Sequence, residues 1–133
     1  MQHSKEEASL SSIVKMFDEL SEGVVVVEGN HDAAVMKLFG VSAMTHAQLF
    51  KNGLKGEQKT VYVLTDRDKG GEEKRHRITS FLLERYPRSR INENAGRRLL
   101  RIANATSVEQ IYAPIVEAMK KGMDERRKNK KNW

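Results

Sequence analysis

Two stretches decide the fold: Val24-Val25-Val26-Val27-Glu28-Gly29-Asn30-His31-Asp32 and Thr60-Val61-Tyr62-Val63-Leu64-Thr65-Asp66-Arg67-Asp68-Lys69-Gly70-Gly71. Each opens as an apolar, β-branched run without polar alternation. That pattern predicts a strand covered on both faces, as in a parallel sheet. Each then passes directly into acids and glycine. If the two strands are neighbours, Glu28, Asp66 and Asp68 converge on one edge of the sheet.

The segments around them read as helices and shorter strands. Leu10, Ile13, Val14, Phe17 and Leu20 fall at helical spacing, after a Ser4–Glu7 capping box and before Gly23. Ala34, Val35, Leu38 and Phe39 predict a short helix stopped by Gly40. Val41 to Met44 is a strand candidate, and Thr45 with Gln48 caps a helix ending near Gly53. Residues 72–86 return to helical spacing with Ile78, Phe81 and Leu82 inward, until Pro87 forbids continuation. Arg90 to Asn92 is a short strand and 95–103 a basic helix. Ser107 with Gln110 caps a last helix whose stripe is Val108, Ile111, Tyr112, Ile115, Val116 and Met119; Pro114 predicts a kink there or the first turn of a second helix. Strands alternating with helices in this way predict an α/β fold with a parallel four-stranded sheet and helices on both faces. In such a sheet, ligands bind at the carboxyl ends of the strands. The organisation expected is an N-terminal helix over residues 1–22, one domain over 23–119 and a basic tail over 120–133.

With 133 residues, 38% hydrophobic and 32% charged, the chain has one domain's worth of core. The absence of cysteine excludes disulfide scaffolds, thiolate zinc sites, iron–sulfur clusters and cysteine nucleophiles. No apolar stretch approaches the roughly 20 residues of a membrane helix, and the polar start is no secretory signal, so no membrane association and a cytoplasmic location are expected. Five of the six net positive charges lie in residues 120–133, leaving a nearly neutral body with basic clusters at Lys69, Lys74, Arg75, Arg77 and at Arg97, Arg98, Arg101. A basic end suits a nucleic-acid backbone, RNA or DNA. A solvated terminus that only aids solubility is the alternative.

Three carboxylates at one edge repel one another, and a divalent cation resolves the conflict. Mg²⁺, with Mn²⁺ as a substitute, takes hard oxygen ligands and leaves positions for phosphate oxygens. Glu28, Asp66 and Asp68 are therefore the candidate catalytic and metal-ligating residues. Gly29 and Gly71 allow sharp turns and close ligand approach, and Asp32 positions a base or water. Arg67, Lys69 and Arg75 are candidate phosphate contacts, with exposed surface charge as the alternative. His31 reads as a solvent-facing residue of a helix's first turn or as a phosphate contact. An Asp at a strand end also has a purely structural use, capping the next helix.

Glu28-Gly29-x-x-Asp32 after a β-branched strand, followed about 35 residues later by Asp66-x-Asp68-x-x-Gly71, resembles the Toprim domain. That domain is shared by bacterial-type primases, type IA and type II topoisomerases, recombination-repair proteins, old-type nucleases and the maturation endonucleases of ribosomal 5S RNA. The likeness runs from about Gly23 to about Asn104 and is strongest to the last group and to small stand-alone Toprim proteins. It implies a Rossmann-like sheet. It also implies that Glu28 is a general base or acid and sometimes a metal ligand, that Asp66 and Asp68 bind the metal, and that Gly29 and Gly71 shape the backbone. The long additional domains of primases and the cysteine zinc site of the repair proteins have no counterpart within these 133 residues. Tyr62 lies in a strand, Tyr86 ends a helix and Tyr112 lies on an apolar stripe, so none suits the nucleophile of a topoisomerase.

The resemblance implies a Mg²⁺-dependent phosphodiester hydrolase of the RNA-processing or repair type, acting with a protein partner in a larger complex. Its alternatives are a non-catalytic nucleic-acid-binding module and a primase-like, nucleotidyl-transfer subunit that needs a partner. A receiver-like phosphoacceptor would explain Asp66 but not Glu28-Gly29.

Overall fold

The computed structural model describes residues 10–117 and 120–121. The Ser4–Glu7 box, Met119 and nearly all of the basic tail lie outside the described residues. Helix α1 (Leu10–Ser21) leads into β1 (Val24–Val27), α2 (Asn30–Leu38), β2 (Ala43–Thr45) and α3 (His46–Asn52). Then follow β3 (Thr60–Leu64), α4 (Lys69–Arg85), β4 (Arg90–Asn92) and α5 (Asn94–Ile102). A 3₁₀ turn at Val108–Ile111 runs into α-helical residues 112–117. The chain is an α/β protein with a four-stranded, all-parallel, Rossmann-like sheet of order β2-β1-β3-β4.

The four valines of β1 explain its central place. Val25 and Val27 point into a core with Tyr62, Leu64, Ile13, Leu20, Met36, Leu99 and Leu100, so α1, α2 and α5 cover that face. Val26 points the other way, with Val61 and Val63, onto Leu49, Ile78 and Leu82 of α3 and α4. Continuous apolar character is what a strand needs when both its faces are covered. Burying one such side chain contributes about 1.5–3 kcal/mol.

Several boundaries differ from the pattern reading. In α1 the inward stripe is Ile13, Met16, Phe17 and Leu20, while Val14 is exposed. In α2 Met36 is buried and Leu38 is 67% exposed, because the helix starts at Asn30 and its inward face falls on Ala33, Met36 and the Phe39 ring. Phe39 stacks on Phe17 of α1 with ring centroids 4.8 Å apart. The second strand is Ala43–Thr45; Val41 is buried just before it. The Thr45–Gln48 capping box is formed: the Thr45 hydroxyl accepts from the Gln48 N–H at 3.1 Å, and the Gln48 carbonyl accepts from the Thr45 N–H at 2.9 Å.

The Ser107–Gln110 box is not formed. The Gln110 side chain accepts instead from the N–H and hydroxyl of Thr106, both at 2.9 Å, and the segment opens as 3₁₀. Pro114 follows within the first α-turn after that segment, where its missing N–H costs little. It marks the start of a helix and not a kink.

Candidate active site

The chain runs from β1 outward to β2, returns to β3 on the opposite side of β1, and continues to β4. The reversal of direction falls between β1 and β3. In open parallel sheets the crevice beyond the carboxyl ends at such a switch point is the ligand site. Val27 is paired with Leu64, so the chain leaves these two strands side by side. Glu28 follows β1 at once, and Asp66 lies two residues beyond β3. The two strand ends meet through one hydrogen bond: the Glu28 carboxylate accepts, through Oε2, from the backbone N–H of Asp66.

Asp66 carries the strongest electrostatic signature of the edge. Burial, and then the charges of Glu28, Asp32 and Asp68, push its carboxyl up from 3.8 to about 6. A folded-state value above the unfolded one means the folded chain holds the proton more tightly between about pH 4 and 6. Stability from this group is present at low pH and is lost as pH rises through that window. Asp66→Asn is therefore expected to be more stable than wild type above pH 6 by about 1 kcal/mol, after allowing for solvent screening of a partly exposed carboxyl. The gap should close as the pH falls towards 4. Urea midpoints of both proteins across this range check it; a gap independent of pH would contradict it.

Glu28 is anchored on both oxygens. Its Oε1 accepts from Lys74 Nζ at 2.8 Å, and its side chain is only 10% exposed. The hydrogen bond to Glu28, more than any other neighbour, holds the Lys74 ammonium above its ordinary range. The His46 ring lies 2.8 Å, through Nδ1, from the carbonyl oxygen of Glu28 and fixes the backbone at the same point. Removing Lys74 leaves the nearly buried Glu28 charge without its partner. Lys74→Met should cost about 1–3 kcal/mol in urea unfolding. The double variant with Glu28→Gln should recover part of that loss. Additive losses in the double variant would show that the two side chains act independently.

The other predicted residues divide by what they touch. Asp68 N-caps α4, its Oδ1 accepting from Gly71 N–H at 2.7 Å. Asp32 Oδ2 accepts from Gly29 N–H at 3.0 Å, closing the first turn of α2; burial and then the Glu28 charge hold it above the carboxylate range despite that bond. Both acids thus have the structural use that the sequence left open. Gly71 is required by packing, since a Cβ there would overlap the backbone of Asp66. Gly29 is not: its backbone is extended, and a Cβ would meet only Asp32 Oδ2, at 3.9 Å. Arg67 binds the chain at 105–106, its backbone N–H donating to the Thr106 carbonyl at 2.6 Å. Lys69 and His31 are exposed. Arg75 is turned to Glu72 and to Glu93, the latter at 2.7 Å, so it is an internal strut more than an open phosphate contact.

The donor set fits a hard divalent cation in part. Asp66 is surrounded by like charge, and Asp68 keeps an oxygen beyond its cap. Among the described residues, however, no three His, Cys, Asp or Glu side chains form a metal-binding group. The expected trio of Glu28, Asp66 and Asp68 is not gathered as three ligands, because Glu28 is engaged by Lys74 and the Asp66 N–H.

Sequence reading missed Lys74 as a site residue and missed the Glu72–Arg75–Glu93 network. A signal existed. Gly71, Lys74, Arg75, Ile78 and Leu82 share the sheet-facing stripe of α4, and charges on a buried stripe call for partners.

No family model matches the chain, and no curated protein matches it. Among solved structures, the fold is similar to that of a protein from Aquifex aeolicus, with a TM-score of 0.61 and 25% identity over 77% of this chain and 97% of that one. No helix among the described residues is long and apolar enough to cross a membrane.

Proposed function

We propose that the chain is a Toprim-like module that hydrolyses nucleic-acid phosphodiesters with Mg²⁺ or Mn²⁺. The observation that carries this reading is the pairing of β1 with β3, which sets Glu28 against Asp66 at the switch point of a parallel sheet. Asp66 and Asp68 would hold the cation, which supplies positive charge to the phosphoryl oxygens when bound. Glu28, oriented by the Asp66 N–H, accepts the proton of the attacking water. Lys74 limits the negative charge that the acids accumulate around the phosphate.

A second reading has an observation of its own. Both oxygens of Glu28 are occupied, and Asp32 and Asp68 cap helices, which suits a nucleic-acid-binding module without catalysis. The two readings separate on end-labelled structured RNA, single-stranded DNA and supercoiled plasmid, incubated with the purified chain in Mg²⁺ or Mn²⁺. Cleavage that stops on chelation supports the hydrolase and shows which polymer is preferred. Binding that persists in chelator, with no cleavage of any of the three, supports the module.

A further inference from the structure

The second basic cluster of the sequence, Arg97, Arg98 and Arg101, has no role in the reading above. In the structure it divides. Arg98 turns away from the sheet edge to Glu19 of α1, at 3.4 Å. Arg97 and Arg101, one turn apart on α5, instead line a cavity of about 340 Å³ between α4 and α5. Asp66 and Asp68 line the same cavity.

We propose that this cavity is a subsite for a phosphate monoester, and that it takes the phosphorylated end of a nucleic-acid strand. The inference rests on the proposed function for the strand, but the anion-binding argument stands on the cavity itself. Four arginines line it with four acids. Two of the acids, Glu72 and Glu93, are already committed to Arg75. Glu72 also lies 3.7 Å from Arg97, a long contact. Among the described residues Arg101 has no ion-pair partner. Arg75, which also lines the cavity, has its Nε buried without a hydrogen-bond acceptor. Such a donor is costly to leave unmatched. Guanidinium groups are the side chains best matched to phosphate oxygens.

The shape argues for a strand end over a passing chain. The cavity is at the small end of the range for ligand pockets, roughly 300–1,000 Å³, and suits about one nucleotide. Arg67, one of its lining residues, is held in place because its N–H and Nη1 bind the carbonyls of Thr106 and Ala105, tying the loop after β3 to the loop after α5. Val63 and Thr65 lie among its walls. Asp66 and Asp68 on the loop after β3, with Arg97 and Arg101 on α5, thus frame a space of about one nucleotide, with guanidinium groups for the terminal phosphate.

The test measures binding of internally labelled single strands to the full chain by fluorescence anisotropy, in Ca²⁺. The strands carry a 5′-phosphate, a 3′-phosphate or hydroxyls at both ends. Wild type is compared with Arg97→Gln, Arg101→Gln and, as control, Arg98→Gln. One phosphorylated end should bind about tenfold tighter than the hydroxyl strand. That preference should disappear in Arg101→Gln, weaken in Arg97→Gln and survive in Arg98→Gln. Equal binding of all strands, or a preference that survives both cavity variants, overturns the proposal. Competition by a nucleoside monophosphate without any end preference also overturns it, assigning the cavity to a free nucleotide. Hydrolysis of the same strands in Mg²⁺ is read in parallel. Hydrolysis indifferent to end phosphates and to Arg101→Gln overturns the subsite alone. An Arg101-dependent end preference without hydrolysis supports the subsite and overturns the hydrolase.

Discussion

Glu28→Gln is expected to slow phosphodiester cleavage by about 10²–10⁴-fold, the contribution of a well-placed general base. The amide oxygen can still accept the Asp66 N–H, so the geometry of the edge survives. What is lost is the charge that takes a proton and that pairs with Lys74. Lys74 is 37% exposed, so water can solvate its ammonium once the partner is neutral. The stability cost should therefore stay near 1 kcal/mol. Single-turnover rates, read beside thermal melts, separate the two effects. A rate loss with a nearly unchanged melt assigns Glu28 to the chemistry. Full activity removes it from the mechanism and leaves it as an anchor for Lys74. Asp66→Asn should lose cleavage to a similar degree for a different reason, and only that variant should respond to a raised metal concentration.

Gly71→Ala should produce the largest loss of stability, about 2–4 kcal/mol by urea unfolding. Gly71 is buried in the first turn of α4, and its Cα faces the backbone of Asp66. The clash is with main-chain atoms, which have no rotamer by which to yield. Relief requires moving either the start of α4 or the chain that carries Asp66, and both moves break the Asp68 cap. Activity should fall with stability, and added Mn²⁺ should restore part of both if the cation draws the loop back. Gly70→Ala is the control: a Cβ there meets only Asp68 Oδ1, at 3.6 Å, so little change is expected.

Much of the fold was legible because β1 and β3 are apolar on both faces, a pattern that few other structures accommodate. Their termination in Glu28 and Asp66 was legible for the same reason, since burial ends where charge begins. The Thr45–Gln48 box was legible because its two hydrogen bonds are local. Less could be read where a tertiary contact decides the outcome. Helical spacing after β3 was legible only from residue 72, yet Asp68 caps the helix and it opens at Lys69, where the close approach to Asp66 requires a glycine at position 71. Leu38 read as core, but the phase of α2 is set by Phe39 against Phe17, which turns Leu38 outward. Ser107 read as a cap, but Gln110 found Thr106 first. The partition of charges at the site was beyond reach for the same reason. That Lys74 meets Glu28 across 46 positions, and that Glu93 meets Arg75, follows from the packing of α4 over the sheet and from no local motif.

On the proposed function, Asp66 and Asp68, beside an anchored Glu28, form a divalent-cation site for phosphoryl chemistry. The decisive measurement is calorimetric titration of the full chain with Mn²⁺, at several pH values and with Asp66→Asn alongside. Wild type should bind Mn²⁺ saturably, with an affinity that weakens as the pH falls below about 6, where a proton competes for Asp66. Asp66→Asn should lose affinity at least roughly tenfold. No saturable binding, or equal affinity in the two proteins at every pH, would contradict the cation site.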